Sequence, residues 1–332
     1  MCMKVFDVVA IGDTVVDEFI RIENAAVHCT LDTEKCELCF GFGDKIPFTS
    51  HTTCFAVGNS ANAAVAAARL GLSTALITNL GDDELGKHSL RNLRGEGVET
   101  SLITSHRDKP TNDHFVLWYE NERTILIKHE NYAYKLPKFG VPKWIYLSSL
   151  AQDSEAFHDE VASYLEIHPS IRLAFQPGTF QLKMGSTKLS RIYARTEAFF
   201  SNIEEAMRVL GTENRDVPTL VHGIHALGPR MVILTDGPKG LYASDGTHMY
   251  FLPIYPDPKP PLERTGAGDA TSSTITAMLS TNMPLKDALR YGPINSMSVV
   301  QFIGAQAGLL SRKNIEKYLN EAPAEYLVQK YP

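Results

Sequence analysis

The chain has 332 residues, a net charge of −6 at pH 7, 21% charged residues and 44% hydrophobic ones. That length buries a large core, as one big α/β domain or a domain with a small appendage, and the acidic balance argues against nucleic acid or an anionic membrane as partner. No apolar run reaches the length of a membrane span, the N-terminus reads as a charged-then-apolar strand and not a signal peptide, and the five cysteines form no even framework, so a reducing cytoplasm is the expected home.

Taken in order, the first strand is Phe6 to Ile11, followed by Gly12-Asp13-Thr14-Val15-Val16-Asp17. Residues 14–57 are long, mixed and rich in Thr and Cys. Gly58-Asn59-Ser60-Ala61-Asn62 then opens an alanine-rich helix running to Leu70. The strand Thr74 to Thr78 leads to Gly81-Asp82-Asp83-Glu84-Leu85-Gly86 and a helix over Leu85 to Leu93. Residues 111–130 read as two strands around a turn at Glu120-Asn121-Glu122. Short apolar strands follow at Trp144 to Ser148, Leu173 to Phe175, Ala198 to Ser201 and Met231 to Leu234, with a helix over Glu155 to Glu166. Asn202-Ile203-Glu204-Glu205 precedes a helix-like stretch ending at Gly211, and Thr235-Asp236-Gly237-Pro238-Lys239-Gly240 follows a strand. The proline-rich stretch Pro253 to Pro261 is a stiff connection. The alternation predicts a layered α/β fold with a mainly parallel sheet, whose ligands bind at the carboxyl ends of the strands.

Thr265-Gly266-Ala267-Gly268-Asp269 is the most informative run. A tight loop of small residues feeds a buried helix over Ala270 to Leu279. Its unpaired N–H groups and positive dipole end suit an anion, and small side chains admit a phosphate to the backbone. Asp269 at the same point suits a general base toward an attacking hydroxyl. The same five residues also read as a glycine turn with an Asp cap.

Three of these features, the alanine-rich Asn motif, Asn202 to Glu205 and the Gly266 to Asp269 run, resemble in order and spacing the ribokinase-like sugar kinases, the PfkB carbohydrate kinase family. The resemblance runs from about Val5 to Gln306 and includes Gly304-Ala305-Gln306. It implies one kinase domain over residues 1–332, a ribokinase-like α/β/α fold with a mainly parallel sheet, and a small β-lid from about 14–57 and 111–130. By that resemblance Gly266, Ala267 and Gly268 form an anion hole, and Asp269 is the base. Asp17, Asn59 and Asn62 bind the acceptor, although both asparagines also suit helix capping. Asn202, Glu205, Thr235, Gly237, Gly240 and Asn295 face the nucleotide, and Glu205 helps to hold Mg²⁺ through water; Asn202 with Glu205 also matches a cap. The chain departs from the family at Val57-Gly58, where two glycines are usual. It departs again at Glu263, where an Asp in some members helps hold a monovalent cation, so K⁺ is an open cofactor.

Cys29, Cys36 and Cys39 are outside the resemblance. They read either as part of a zinc site or as reduced, packed thiols. The expected activity is ATP- and Mg²⁺-dependent phosphoryl transfer to the hydroxymethyl group of a small sugar. The alternatives are a nucleoside kinase, with Phe19, Trp118 and Tyr119 stacking on a base, and a catalytically silent sugar or nucleoside sensor. A homodimer through the β-lid is expected, because the run from His114 to Tyr119 carries large apolar groups on both faces.

Overall fold

The computed structural model describes residues 5–30, 35–120 and 122–331. Asn121, in the middle of the turn expected from the sequence, and residues 31–34 lie outside that set. Among the described residues the main sheet has nine strands. Six run parallel, in the spatial order Thr74–Ile77, Val8–Ile11, Trp144–Leu147, Arg172–Phe175, Thr196–Asn202 and Met231–Thr235. Leu241–Ser244, Met249–Leu252 and Gln329–Tyr331 extend it antiparallel.

The strands are short and apolar because both faces are covered. Side chains alternate between two cores. Val8, Ala10, Trp144, Tyr146, Ala174 and Ala198 face one side, with the alanine-rich helix Asn59–Arg69 and the helix Ala267–Ser280. Val9, Ile11, Ile145, Leu147, Leu173, Phe175 and Phe199 face the other, against Phe157, Val161, Leu220 and Ile224. Alanines in the first layer let those two helices lie close to the sheet. This is the expected layered α/β arrangement with a mainly parallel sheet.

A second sheet of four strands has the order Glu122–Lys128, Asp113–Tyr119, Val15–Ile22 and Phe48–Val57. It is the expected lid, built from both segments that interrupted the βα rhythm. Asp83 ties it to the body. Its carboxylate caps the helix Glu84–Gly95 through the Gly86 N–H at 2.8 Å, and accepts the N–H and hydroxyl of Thr111 at 2.8 and 2.6 Å. Inside the long first segment a hairpin, Ala26–Thr30 with Lys35–Cys39, pairs Cys29 with Cys36 as a disulfide. This overturns the zinc reading of Cys29, Cys36 and Cys39, and that of uniformly reduced thiols. Two of the three sulfurs are spent on each other, and among the described residues no group of three or more His, Cys, Asp or Glu is placed to hold a metal. Among the same residues no helix is long and apolar enough to cross a membrane.

Candidate active site

Gly266 adopts φ 80° as the N-cap of Ala267–Ser280. A Cβ there would lie 2.6 Å from the Ala305 Cα, so the left-handed turn and the close approach both demand glycine. The first-turn N–H groups of Ala267, Gly268 and Asp269 have no carbonyl one turn back within the helix. Gly268 is exposed, with open space where a Cβ would stand.

Asp269 is held by two side-chain amides. Asn62 Nδ2 donates to Oδ2 at 2.8 Å and Gln176 Nε2 donates to Oδ1 at 3.1 Å. Asn62 is fixed in turn by Gln306, whose Nε2 donates to Asn62 Oδ1 at 3.0 Å and to the Ala56 carbonyl at 2.7 Å. Gln176 Oε1 accepts from Tyr146 and from Ser272 at 3.0 Å. Burial pushes the Asp269 carboxyl above the ordinary aspartate range; the Asn62 and Gln176 amides pull it down, and the charge of Asp17 pushes it up. Burial, then Asp269, also holds the Tyr146 phenol far above its usual range.

Asn59 and Asn62 are not caps. The cap of their helix is Gly58, with no side-chain bond; Asn59 is the first helical residue and Asn62 points at Asp269. The expected second glycine is absent, and the backbone still turns left-handed, at Ala56 with φ 54°. A left-handed alanine costs on the order of 1 kcal/mol. The Gln306 bond to the Ala56 carbonyl holds that turn closed.

Asp17 lies in the lid strand Val15–Ile22, its Oδ1 3.3 Å from His114 Nδ1. Asp13 is buried, and both its oxygens accept the Tyr134 hydroxyl at 2.8 and 2.9 Å.

On the other side of the glycine turn is a cavity of about 530 Å³. Asn202 and Thr235 pair in register at the ends of adjacent strands and reach its wall together, with Gly237, Gly240, Ala267 and Gly268. Leu241, Ile254, Pro293, Met297 and Val300 make an apolar slot beside them. Size and lining suit a small organic ligand whose anionic end meets the helix terminus.

Two sequence expectations change here. Asn202 and Glu205 form a reciprocal cap on Ile203–Leu210, at 2.7 and 3.0 Å, and Glu204 lines the cavity where Glu205 does not. Burial raises the Glu205 carboxyl, the Asn202 N–H lowers it, and the charge of Asp269 raises it. Asn295, expected to face the nucleotide, does not line the cavity. It is fully buried, donates to Thr274 Oγ1 at 2.7 Å and accepts the Leu310 N–H at 2.8 Å; its neighbours Ser296 and Met297 line the cavity instead.

Sequence reasoning missed Gln176, Tyr146 and Ser272 around Asp269, and His114, His129 and Tyr134 beside Asp17 and Asp13. Gln176 follows directly on the strand Arg172–Phe175, so the rule that sites lie past strand ends would have found it.

The pfkB family carbohydrate kinase profile matches residues 19–312. A ribokinase of Bacillus subtilis is 28% identical over 271 residues, covering 79% of this chain and 87% of its own. A cytidine kinase of Thermococcus kodakarensis is 33% identical over 104 residues, 31% of this chain and 37% of its own. Among solved structures, Arabidopsis thaliana ribokinase complexed with ribose and ATP superposes with a TM-score of 0.80 at 20% identity, covering 95% of this chain and 99% of that one. The nucleoside kinase of Methanocaldococcus jannaschii superposes with a TM-score of 0.76 at 18% identity, covering 95% of this chain and 98% of that one. With its parallel sheet, its β-lid and a glycine turn opening the helix that carries Asp269, the chain belongs to the pfkB carbohydrate kinase family.

Proposed function

We propose that this protein transfers the γ-phosphoryl group of ATP to a hydroxymethyl group of a small sugar. The observation that carries the reading is the position of Asp269. It sits on the helix whose open N-terminus faces the cavity, while both its oxygens are aimed by Asn62 and Gln176. In the proposed step the acceptor oxygen attacks the γ-phosphorus as its proton passes to Asp269. The bond from that phosphorus to the β–γ bridging oxygen breaks, and ADP leaves with the electron pair. The N–H groups of Gly266, Ala267 and Gly268, the expected anion hole, stabilise charge on the equatorial oxygens. The lid carries Asp17 to the acceptor and excludes water.

Mg²⁺ supplies charge neutralisation at the phosphates when bound. Asn202 and Glu204 line the cavity wall and would hold such an ion through water, Glu204 with the oxygen that Arg215 leaves free, and the buried Glu205 carboxylate behind them would gain from a nearby cation. An Escherichia coli structure described as a ribokinase II in complex with ATP and Mg²⁺ has the same fold, with a TM-score of 0.73 at 15% identity. Glu263 does not fit a K⁺ ligand. Its oxygens accept the N–H groups of Thr265 at 2.6 Å and Gly304 at 3.0 Å, and the Arg123 guanidinium is 3.8 Å away. We place the activity in the cytoplasm, with the other ATP-dependent steps of small-molecule metabolism.

A nucleoside acceptor is the second reading, favoured by the stretch resembling a cytidine kinase. Of the lid aromatics, Trp118 is buried beneath Arg21 at 4.3 Å and Tyr119 donates its hydroxyl to the Ala25 carbonyl. That leaves Phe19, itself buried, to meet a base. A silent sensor has no use for a general base. The test is ADP release with ATP, Mg²⁺ and a panel of pentoses, hexoses and nucleosides. Turnover of a sugar supports the first reading, a nucleoside preference the second, and none at all defeats both. Asp269→Asn should lower kcat about 10²- to 10⁴-fold with little change in acceptor affinity; near-normal turnover removes Asp269 from the role of base. Asp17→Ala should weaken acceptor binding far more than ATP binding, as titration calorimetry with each ligand reads out.

A further inference from the structure

Asp17 and Asp13 are joined by two imidazoles. His114, on the lid strand Asp113–Tyr119, stands opposite Asp17 in the register of the neighbouring strand. Its Nδ1 is 3.3 Å from Asp17 Oδ1. Its Nε2 is 3.2 Å from Nε2 of His129, just past the end of the lid strand Glu122–Lys128. His129 Nδ1 is shut off from solvent, without a hydrogen bond, and lies 3.5 Å from Asp13 Oδ2. Asp13 is closed off behind it by Tyr134. Phe180 stands edge-on to the His129 ring at 6.0 Å.

The row of four side chains has a direction. The bond between the two Nε2 atoms takes one ring hydrogen and lets each ring orient the other, while each Nδ1 faces a carboxylate oxygen. The Asp17 end of the row lies on the acceptor side and the Asp13 end is buried.

We propose that His114 is a positioning residue for Asp17, with His129 and Asp13 holding the His114 ring in place. The contact engages Asp17 Oδ1 and orders the carboxylate before an acceptor arrives. The inference rests on the reading of Asp17 as the acceptor-binding carboxylate.

Three substitutions separate this from a role in packing. Asn places an N–H where His Nδ1 stood, Gln places one nearer the Nε2 position, and Ala offers neither. With D-ribose and cytidine as acceptor probes, His114→Ala should raise acceptor KM about tenfold, the size of one lost polar contact to a carboxylate. kcat and ATP KM should stay within about threefold, since neither the base nor the cavity is touched. His114→Asn should restore acceptor KM and His114→Gln should not. Crystal structures of the Ala and Asn variants read the same point without turnover: the Asp17 carboxylate leaves its wild-type position in the first and keeps it in the second. Equal KM for the Ala and Asn variants, or an unmoved Asp17 in the Ala variant, overturns the proposal. Absence of turnover by the wild-type protein on every sugar and nucleoside defeats the kinase reading alone, and the two crystal structures then decide this one.

Discussion

Asp269 is poised by opposing effects. Burial and the Asp17 charge favour its neutral form, while the Asn62 and Gln176 amides favour the carboxylate. In its proposed role as base Asp269 works only ionised, so kcat/KM should fall as pH drops through this raised value, and the acid limb should lie above the ordinary aspartate range. Removing either amide removes a bond to the charged form. Asn62→Ala and Gln176→Ala should each move the limb to higher pH, as initial rates across a buffer series would show. A limb that stays put in both variants would mean that another group titrates. Gln306 belongs to the same set one step further out, because it fixes Asn62 and the left-handed Ala56 carbonyl with a single amide nitrogen.

Among the elements, the lid depends on a joint as well as on its own strand pairing. Asp83 serves a helix start and the entry to the lid strand Asp113–Tyr119 at once. Burial alone would raise its carboxyl, but the Thr111 hydroxyl, the Thr111 N–H and the Gly86 N–H more than offset that and hold it below its usual value. For a carboxyl lowered in the folded state, the stabilisation is present above the unfolded value and lost as pH falls through the folded one. Its contribution should therefore be complete above about pH 4 and fade below. Asp83→Ala should cost about 1–3 kcal/mol, read from denaturant unfolding at neutral pH, with the difference from wild type shrinking in acid. A constant difference across that range would assign the loss to packing and not to the charge.

For the whole molecule, the lid leaves an open edge and an apolar face. Glu122–Lys128 is an outer strand of its sheet, and Phe115 and Leu126, directly opposite each other in register, are 42% and 52% exposed. Such an edge invites pairing, and a second copy across a two-fold axis would cover it. Light scattering should then give twice the 36.7 kDa of one chain. Leu126→Glu should split that assembly. Trp118, at 6% exposure beneath Arg21, is core and is the wrong residue to test. A single-chain mass for the wild type would count against the dimer, and a dimer that survives Leu126→Glu would place the contact elsewhere.

The sequence by itself determined the architecture: short apolar runs bounded by turns, alternating with helical periods, have few ways to bury both faces of a sheet. It also marked Gly266 to Asp269, because a left-handed turn at a helix start restricts residue type strongly enough to be read locally. The two lid segments were legible as interruptions of the βα rhythm. What only the tertiary structure decided is which polar groups meet. Asn62 and Asp269 are 207 residues apart in the chain, and Gln306 lies 244 from Asn62. Asn202 with Glu205 reads alike as a cap or a ligand pair; folding makes it a cap and turns Glu204 to the cavity. Asn295, one residue from the cavity wall, turns into the core because helical rotation sends adjacent side chains to different faces. The cysteines followed the same logic: cross-strand register put Cys29 against Cys36, a pairing that spacing along the chain left open.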